Sequence, residues 1–146
     1  MIEYRWFESG ELYEECAAIR KEVFCDEQKY PVEAEFDELD NVTPHLVVYK
    51  DGEPVGTGRI VYVDENSCHI GRIAVKKKCR GEGLGKIVVE ELLRRVKAEN
   101  IPTVTIEAQT HAEGFYNKLG FKAVNHEVIY DLHIPHYKMI LNFDKK

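Results

Sequence analysis

Arg80-Gly81-Glu82-Gly83-Leu84-Gly85-Lys86 is the stretch on which the reading of this chain turns. Before it, His69 to Val75 alternates as a strand; after it, Leu84 to Ala98 reads as one charged amphipathic helix. Glycines and basic residues therefore gather at a strand-to-helix joint. A helix start leaves backbone N–H groups without acceptors, and glycines let a loop bring further N–H groups against a phosphate with no Cβ in the way. The expectation is a site for a phosphate-bearing ligand.

The helix after this loop carries Leu84, Val88, Leu92 and Val96 along one line, with Ile87, Val89 and Leu93 widening the stripe. Glu90 with Arg94 and Glu91 with Arg95 make i,i+4 pairs on the other side. Asn100 closes the helix, and Thr103 to Ala108 reads as a short strand after Pro102. Strand, crossover helix and strand imply parallel pairing across the loop. Upstream, His45 to Tyr49, Val55 to Val63 and Cys68 to Val75 form an antiparallel meander turning at Lys50-Asp51-Gly52-Glu53 and Asp64-Glu65-Asn66-Ser67. Alternation in the last of these puts Gly71, Ile73 and Val75 on one face and Ile70, Arg72 and Ala74 on the other.

Ile2 to Phe7 gives a first strand, and a helix runs from Ser9 to about Phe24. Arg20 falls on the apolar face of that helix, as a snorkelling or ion-paired cation or as an anion contact in a cleft. Asp26 to Asp40 reads as a loop with at most one short helix. Its acidic residues, Glu27 among them, form a solvated face or a wall that receives an amine. Beyond Ala108, a second helix opens at Thr110 or His111 and ends at Gly120. A strand broken at Asn125-His126 and a last strand, Tyr137 to Asn142, complete a mixed α/β order with antiparallel strands first.

With 146 residues, 44% of them hydrophobic and 32% charged, the chain is expected to fold as one domain over residues 1–146. The net charge of -6 argues against a general nucleic-acid partner, while Lys76, Lys77, Lys78, Arg80 and Lys86 leave a basic patch that suits one small polyanion. No apolar run approaches the roughly 18 residues of a membrane span. Cys16, Cys25, Cys68 and Cys79 form no CxxC pair and have no His at metal spacing. A metal-free protein with reduced thiols in the cytoplasm is expected.

Two phosphate fingerprints fail at the loop. A P-loop needs Gly where Arg80 stands and Ser or Thr where Ile87 stands; a dinucleotide fingerprint needs Gly at Lys86, or Gly or Ala at Val88. What fits is Arg-x-x-Gly-x-Gly over Arg80 to Gly85, after a strand ending Ile73-Ala74-Val75. With Ala112-Glu113-Gly114-Phe115-Tyr116-Asn117-Lys118-Leu119-Gly120-Phe121 following, the whole chain resembles the GNAT superfamily of acetyl-CoA-dependent N-acetyltransferases. A narrower likeness, to the small bacterial ElaA-like branch, rests on Arg20-Lys21-Glu22-Val23-Phe24-Cys25-Asp26-Glu27-Gln28, Glu35-Phe36-Asp37-Glu38-Leu39-Asp40 and Ile134-Pro135-His136-Tyr137-Lys138-Met139.

The resemblance implies a mostly antiparallel sheet, flanked by helices, whose central parallel strands splay apart near Val75 and Ala108. The pantetheine arm of acetyl-CoA would lie between them, along Ile73, Ala74 and Val75. Arg80, Gly81, Glu82, Gly83, Leu84, Gly85 and Lys86 would surround the pyrophosphate. Gln109 stands where many members carry Asn near the second helix. A homodimer through the terminal strands is common in the superfamily, though no residue pattern here demands one.

Acetyl transfer to an amine needs a neutral amine, a polarised thioester carbonyl and a proton for the leaving thiolate. The likeness gives the carbonyl to the N–H of Val75 and the thiolate proton to Tyr116, for which a packed helix aromatic like Phe115 is the structural alternative. His136, after the rigid Ile134-Pro135, is the candidate base, since an imidazole titrates near neutrality. Glu107 and His111 are alternatives acting through a water, and a partly neutral amine needs no base. Arg20 and Arg72 could clamp an anionic group on the acceptor; Glu27 and the acidic loop point to a cationic one, and His111 is expected beside the acceptor as well. A small-molecule primary amine is the expected acceptor. The competing readings are a non-catalytic acyl-CoA binder or sensor, acetylation of a peptide or protein amine, and a nucleotide-binding domain.

Overall fold

The computed structural model describes residues 1–8 and 14–143. The expected helix start at Ser9 lies outside them. One eight-stranded sheet runs β1 (Ile2–Phe7), β2 (His45–Lys50), β3 (Glu53–Tyr62), β4 (Ser67–Val75), β5 (Thr103–Gln109), β8 (Ile134–Asn142) and β6 (Lys122–Ala123), with β7 (Ile129–Asp131) also on β8. Only β4 and β5 pair in parallel, as the crossover between them requires; their register ends after three pairs, at His69 and Thr105. Beyond that point the strands part, and the gap between them is the structural basis of the site.

Each face of the sheet carries its own apolar layer. Helix α3 (Leu84–Ala98) covers one face, packing Leu84, Val88 and Leu92 with Leu46, Ile60 and Ile70. Gly58 is what lets α3 lie so close to β3, because a Cβ there would stand 2.7 Å from Cδ1 of Leu92. Helix α1 (Glu14–Arg20) covers the other face with Cys16 and Ile19 against Phe7, Val47 and Ala74. Because both faces are covered, β2 is buried from His45 to Val48 without the alternation of a half-exposed strand.

Three segments depart from the expected local structure. The first helix does not end near Phe24: after Arg20 it widens into a π-helical segment, Lys21–Glu27, capped at Gln28. The stretch expected as a loop holds α2 (Val32–Glu35) and a 3₁₀ turn at Glu38–Asn41; Asp26, Glu27, Glu33 and Glu38 are exposed as a solvated face would have them, but other carboxylates turn inward. Glu35 and Asp40 are buried, bound by arginines from other elements. The broken strand is two strands, and His136 lies within β8 rather than before it. The second helix opens with a 3₁₀ turn at Thr110–Ala112 and continues as α4 (Glu113–Lys118).

A bulge in β4 also breaks the expected alternation. Gly71 pairs with Arg59 and Ala74 with Thr57, so Arg72 and Ile73 together oppose Gly58, and Arg72 takes φ 51. The phase of the strand flips there. Cys68 and Ile70 before the bulge, and Ile73 and Val75 after it, all face α3, while Ala74 faces α1. Arg72 is aimed into the gap between β4 and β5 instead of out of the surface.

Candidate active site

A cleft of about 640 Å³ opens where β4 and β5 part. The glycine loop forms one end of it. Gly81 and Gly83 have φ 84 and 78, which glycine adopts without Cβ strain, and Gly83 caps α3 with no side-chain acceptor for the first turn. The N–H groups from Gly81 to Lys86 donate to no acceptor among the described residues; the first bond of the turn is Ile87 N–H to Gly83 O, at 3.3 Å. These amides at a helix start, with the exposed Lys86 ammonium, make a preformed anion cradle. A pyrophosphate-bearing ligand with a thin apolar arm fits this donor set and the strand gap beyond it.

The other residues expected to hold the cofactor fall along the same cleft, Glu82 apart. Ile73, Ala74 and Val75 border it from β4, past the last parallel pair. Leu84 and Gly85 border it from α3; Glu82 instead turns to pair with Lys50. Arg80 is held by two bonds to the Glu27 carboxylate, at 2.6 and 2.7 Å, and a third to Val75 O. The basic patch is thus partly neutralised: Glu27 takes Arg80, and Glu53 takes Lys76 and Lys78. Gln109, at the end of β5, donates from Nε2 to Gln28 Oε1 at 2.9 Å and has His111 Nε2 at 2.9 Å from its own Oε1.

Tyr116 is 7% exposed, packed edge-on between Phe115 and Phe121, and it borders the cleft. Its hydroxyl has no hydrogen-bond partner among the described residues, yet no fully buried side-chain N or O there lacks one, so the hydroxyl opens to the cleft. Burial pushes the phenol above its ordinary range, so it keeps its proton at neutral pH. His136, 8% exposed, places Nδ1 2.9 Å from Ile134 O. A carbonyl only accepts, so Nδ1–H donates and Nε2 is the nitrogen left to accept a proton.

The sheet separates these groups. Tyr116 packs with Ile106 and Ala108 on the α3 side, together with the glycine loop. Glu107 alternates with those two residues, and His136 with Tyr137 and Met139, so both lie on the α1 side. His69 alternates with Cys68 and Ile70 and joins them. The gap between β4 and β5 connects the side carrying the anion cradle to a side carrying imidazoles and carboxylates.

The four residues expected at the acceptor have different fates. Arg20 is a correction: it is fully buried and makes no contact with the cleft. Its guanidinium donates to Glu35 Oε2 at 2.8 Å, to Asp40 Oδ1 at 2.7 Å and to Glu35 O at 2.8 Å, and it stacks over Phe36. Glu27 borders the cleft with its carboxylate taken by Arg80. Arg72 borders it while donating to Glu35 O and Asp37 Oδ2, both at 3.1 Å. His111 stands at the mouth, on Gln109.

Arg59 completes the set, donating to Asp37 at 2.8 Å and Asp40 at 2.9 Å, so three arginines and three carboxylates lock the expected loop onto β3 and β4. Tyr30 and His69 also line the cleft and escaped the sequence reading. Tyr30 lies in the segment read as structureless, and its phenol is pushed up to about 12 by burial and by Asp131. For His69 a signal existed: an imidazole between two buried apolar residues of a strand must face the side opposite them.

The family model for the acetyltransferase (GNAT) domain matches residues 11–143. The chain belongs to this family. As a GNAT protein it is an acyltransferase, and its relatives agree. The uncharacterized N-acetyltransferase YjcF of Bacillus subtilis is 37% identical over 122 residues, covering 84% of this chain and 86% of the relative. An acyl-CoA N-acyltransferase from Pseudomonas aeruginosa superposes with a TM-score of 0.85 at 31% identity, covering 97% of this chain and 99% of the other. ElaA of Escherichia coli does so with a TM-score of 0.84 at 28% identity, covering 97% and 100%. The narrower likeness read from the sequence is therefore matched by structure. More distant members of the GNAT fold were solved with acetyl-CoA or coenzyme A bound. The cradle and gap of this chain fit that ligand, and acetyl-CoA is the donor supported for the family.

Proposed function

We propose that this GNAT protein, as one domain over residues 1–146, transfers the acetyl group of acetyl-CoA to a primary amine of a small molecule. The reading is carried by one observation: unpartnered loop amides on one side of the sheet are joined, through the gap between β4 and β5, to proton-accepting groups on the other. Acetyl-CoA supplies an activated acyl group. The chain holds its phosphates on Gly81 to Lys86, lays its arm along Ile73 to Val75, and lets the amine approach from the acceptor side.

Direct attack in a ternary complex requires no covalent nucleophile from the protein. Tyr116, which keeps its proton at neutral pH, gives it to the departing sulfur. His136 Nε2 accepts a proton from the acceptor, and Val75 N–H polarises the carbonyl. The free thiols of Cys16, Cys25, Cys68 and Cys79 go with a cytoplasmic setting.

A panel of alkylamines, polyamines, amino acids and a lysine peptide, assayed for CoA release with acetyl-CoA, tests this. Turnover is expected with a free amine, and CoA is expected to raise the melting temperature where ATP does not. Turnover confined to the lysine peptide moves the acceptor to a protein side chain. CoA binding without turnover on any amine leaves a non-catalytic acyl-CoA binder.

A further inference from the structure

We propose that His69 is a second proton acceptor of this site, one that takes the proton of the acceptor ammonium where β4 and β5 separate, and that Thr105 fixes its tautomer. The inference rests on the acetyl-transfer reading above. His69 and Thr105 are the last parallel pair before the gap opens, so the imidazole stands at the narrow end of the cleft, on the side from which the amine arrives. The bulge two residues later leaves space beside it. A Cβ on Gly71 would still be 3.7 Å from the His69 ring.

Its two nitrogens are not equivalent. Nδ1 lies 3.1 Å from Thr105 Oγ1, and that hydroxyl is oriented toward Cys68 O at 3.5 Å. In the tautomer proposed here the hydroxyl proton goes to Cys68 O and the hydroxyl oxygen receives Nδ1–H. Nε2 keeps its lone pair and has no partner among the described residues.

The charges facing the ring are Glu107 on β5, Arg59 on β3, Arg72 on β4 and Lys138 on β8. Burial first, and then the three cations, hold the imidazole below its ordinary range against the opposing pull of Glu107. It is therefore neutral near pH 7 and free to accept.

The step balances. The ammonium N–H breaks and its proton passes to Nε2, leaving an imidazolium and a neutral amine. The amine lone pair forms the C–N bond to the acetyl carbon as the C–S bond breaks. The thiolate receives the Tyr116 proton, and the surplus proton on nitrogen passes to His136 Nε2. Of the two imidazolium protons, one returns to the phenolate and one leaves to solvent.

The test uses the best amine of the panel and follows CoA release by wild type, His69→Gln, Thr105→Val, Thr105→Ser and His136→Gln from pH 6 to about 9.5. At pH 7, His69→Gln is expected to lose at least about tenfold in kcat/KM with unchanged CoA affinity, the deficit narrowing toward high pH as the amine in solution becomes neutral. Thr105→Val should lose part of this, and Thr105→Ser should restore it.

A His69→Gln variant within about twofold of wild type at every pH overturns the proposal. So does a deficit that stays constant with pH, which marks a structural role, or a pH-rescued loss seen only in His136→Gln. Absence of CoA release by wild type with any amine removes the acetyl-transfer reading itself, and this proposal with it. That outcome is distinguishable because no variant is needed to see it.

Discussion

A phenol serves as an acid toward a thiolate only while it holds its proton, and the surroundings of Tyr116 ensure this. Phe115 and Phe121 pack edge-on against the ring, burial disfavours the phenolate, and the hydroxyl alone reaches the cleft. Tyr116→Phe keeps the packing and removes the proton, so turnover is expected to fall at least about tenfold with CoA affinity changed by less than about twofold. Isothermal titration with CoA beside a steady-state assay separates the two effects. Equal losses in both would mean that the residue only shapes the cleft. The place of Tyr116 on the cleft was legible in the sequence through the motif that carries the family resemblance. Arg20 was legible only as an anomaly, a cation on an apolar face, since the partners that explain it are 15 and 20 residues away and reach it only once the chain turns back.

At the scale of elements, the acidic segment shows what local propensity omits. Nothing in Asp26 to Asp40 repeats with a helical or strand period, yet the segment is fixed by ion pairs to α1, β3 and β4. Arg20, Arg59 and Arg72 face Glu35, Asp37 and Asp40 in a charge-balanced array that is buried at Arg20, Arg59, Glu35 and Asp40 and reaches solvent at Arg72 and Asp37. Removing Arg20 leaves Glu35 and Asp40 buried with only part of their compensation, from Arg72 and from Arg59 and His45. Arg20→Leu is therefore expected to destabilise the protein by about 3–5 kcal/mol, read as a lower urea midpoint with unchanged m-value. A midpoint within error of wild type would show that the array is not what holds the acceptor wall.

For the molecule as a whole, the same array predicts how stability depends on pH. Bonds from Arg59 hold Asp37 below its ordinary range. Burial would raise Asp40, but His45 and Arg20 outweigh it and hold its carboxyl far below that range. Arg80 holds Glu27 low, and Arg94 does the same for Glu91. A carboxyl depressed in the folded state binds fewer protons there than when unfolded. Its contribution is present above the unfolded carboxylate range, near pH 4, and is lost as pH falls through the folded value. Glu35, raised by burial, acts with the opposite sign and offsets part of this. The melting temperature is expected to fall progressively below about pH 4, and a flat profile down to about pH 2.5 would show that these pairs contribute little to stability. Among the described residues no helix is long and apolar enough to cross a membrane.

The sequence by itself determined the mixed α/β order, the helix crossover that makes β4 and β5 parallel, and the glycine loop with its unpartnered amides, because each follows from neighbours along the chain. Turn chemistry, apolar period and the unpartnered amides of a helix start are local properties. Only the tertiary structure decided which charged residues reach the cleft and on which side of the sheet each proton-carrying group stands. A single bulge in β4 flips the strand's phase and turns Arg72 inward, three arginines draw an aperiodic segment into the acceptor wall, and His69 becomes a cleft residue only because its strand parts from β5 beside it. Those outcomes depend on contacts between residues far apart in sequence, whose energy no local pattern records.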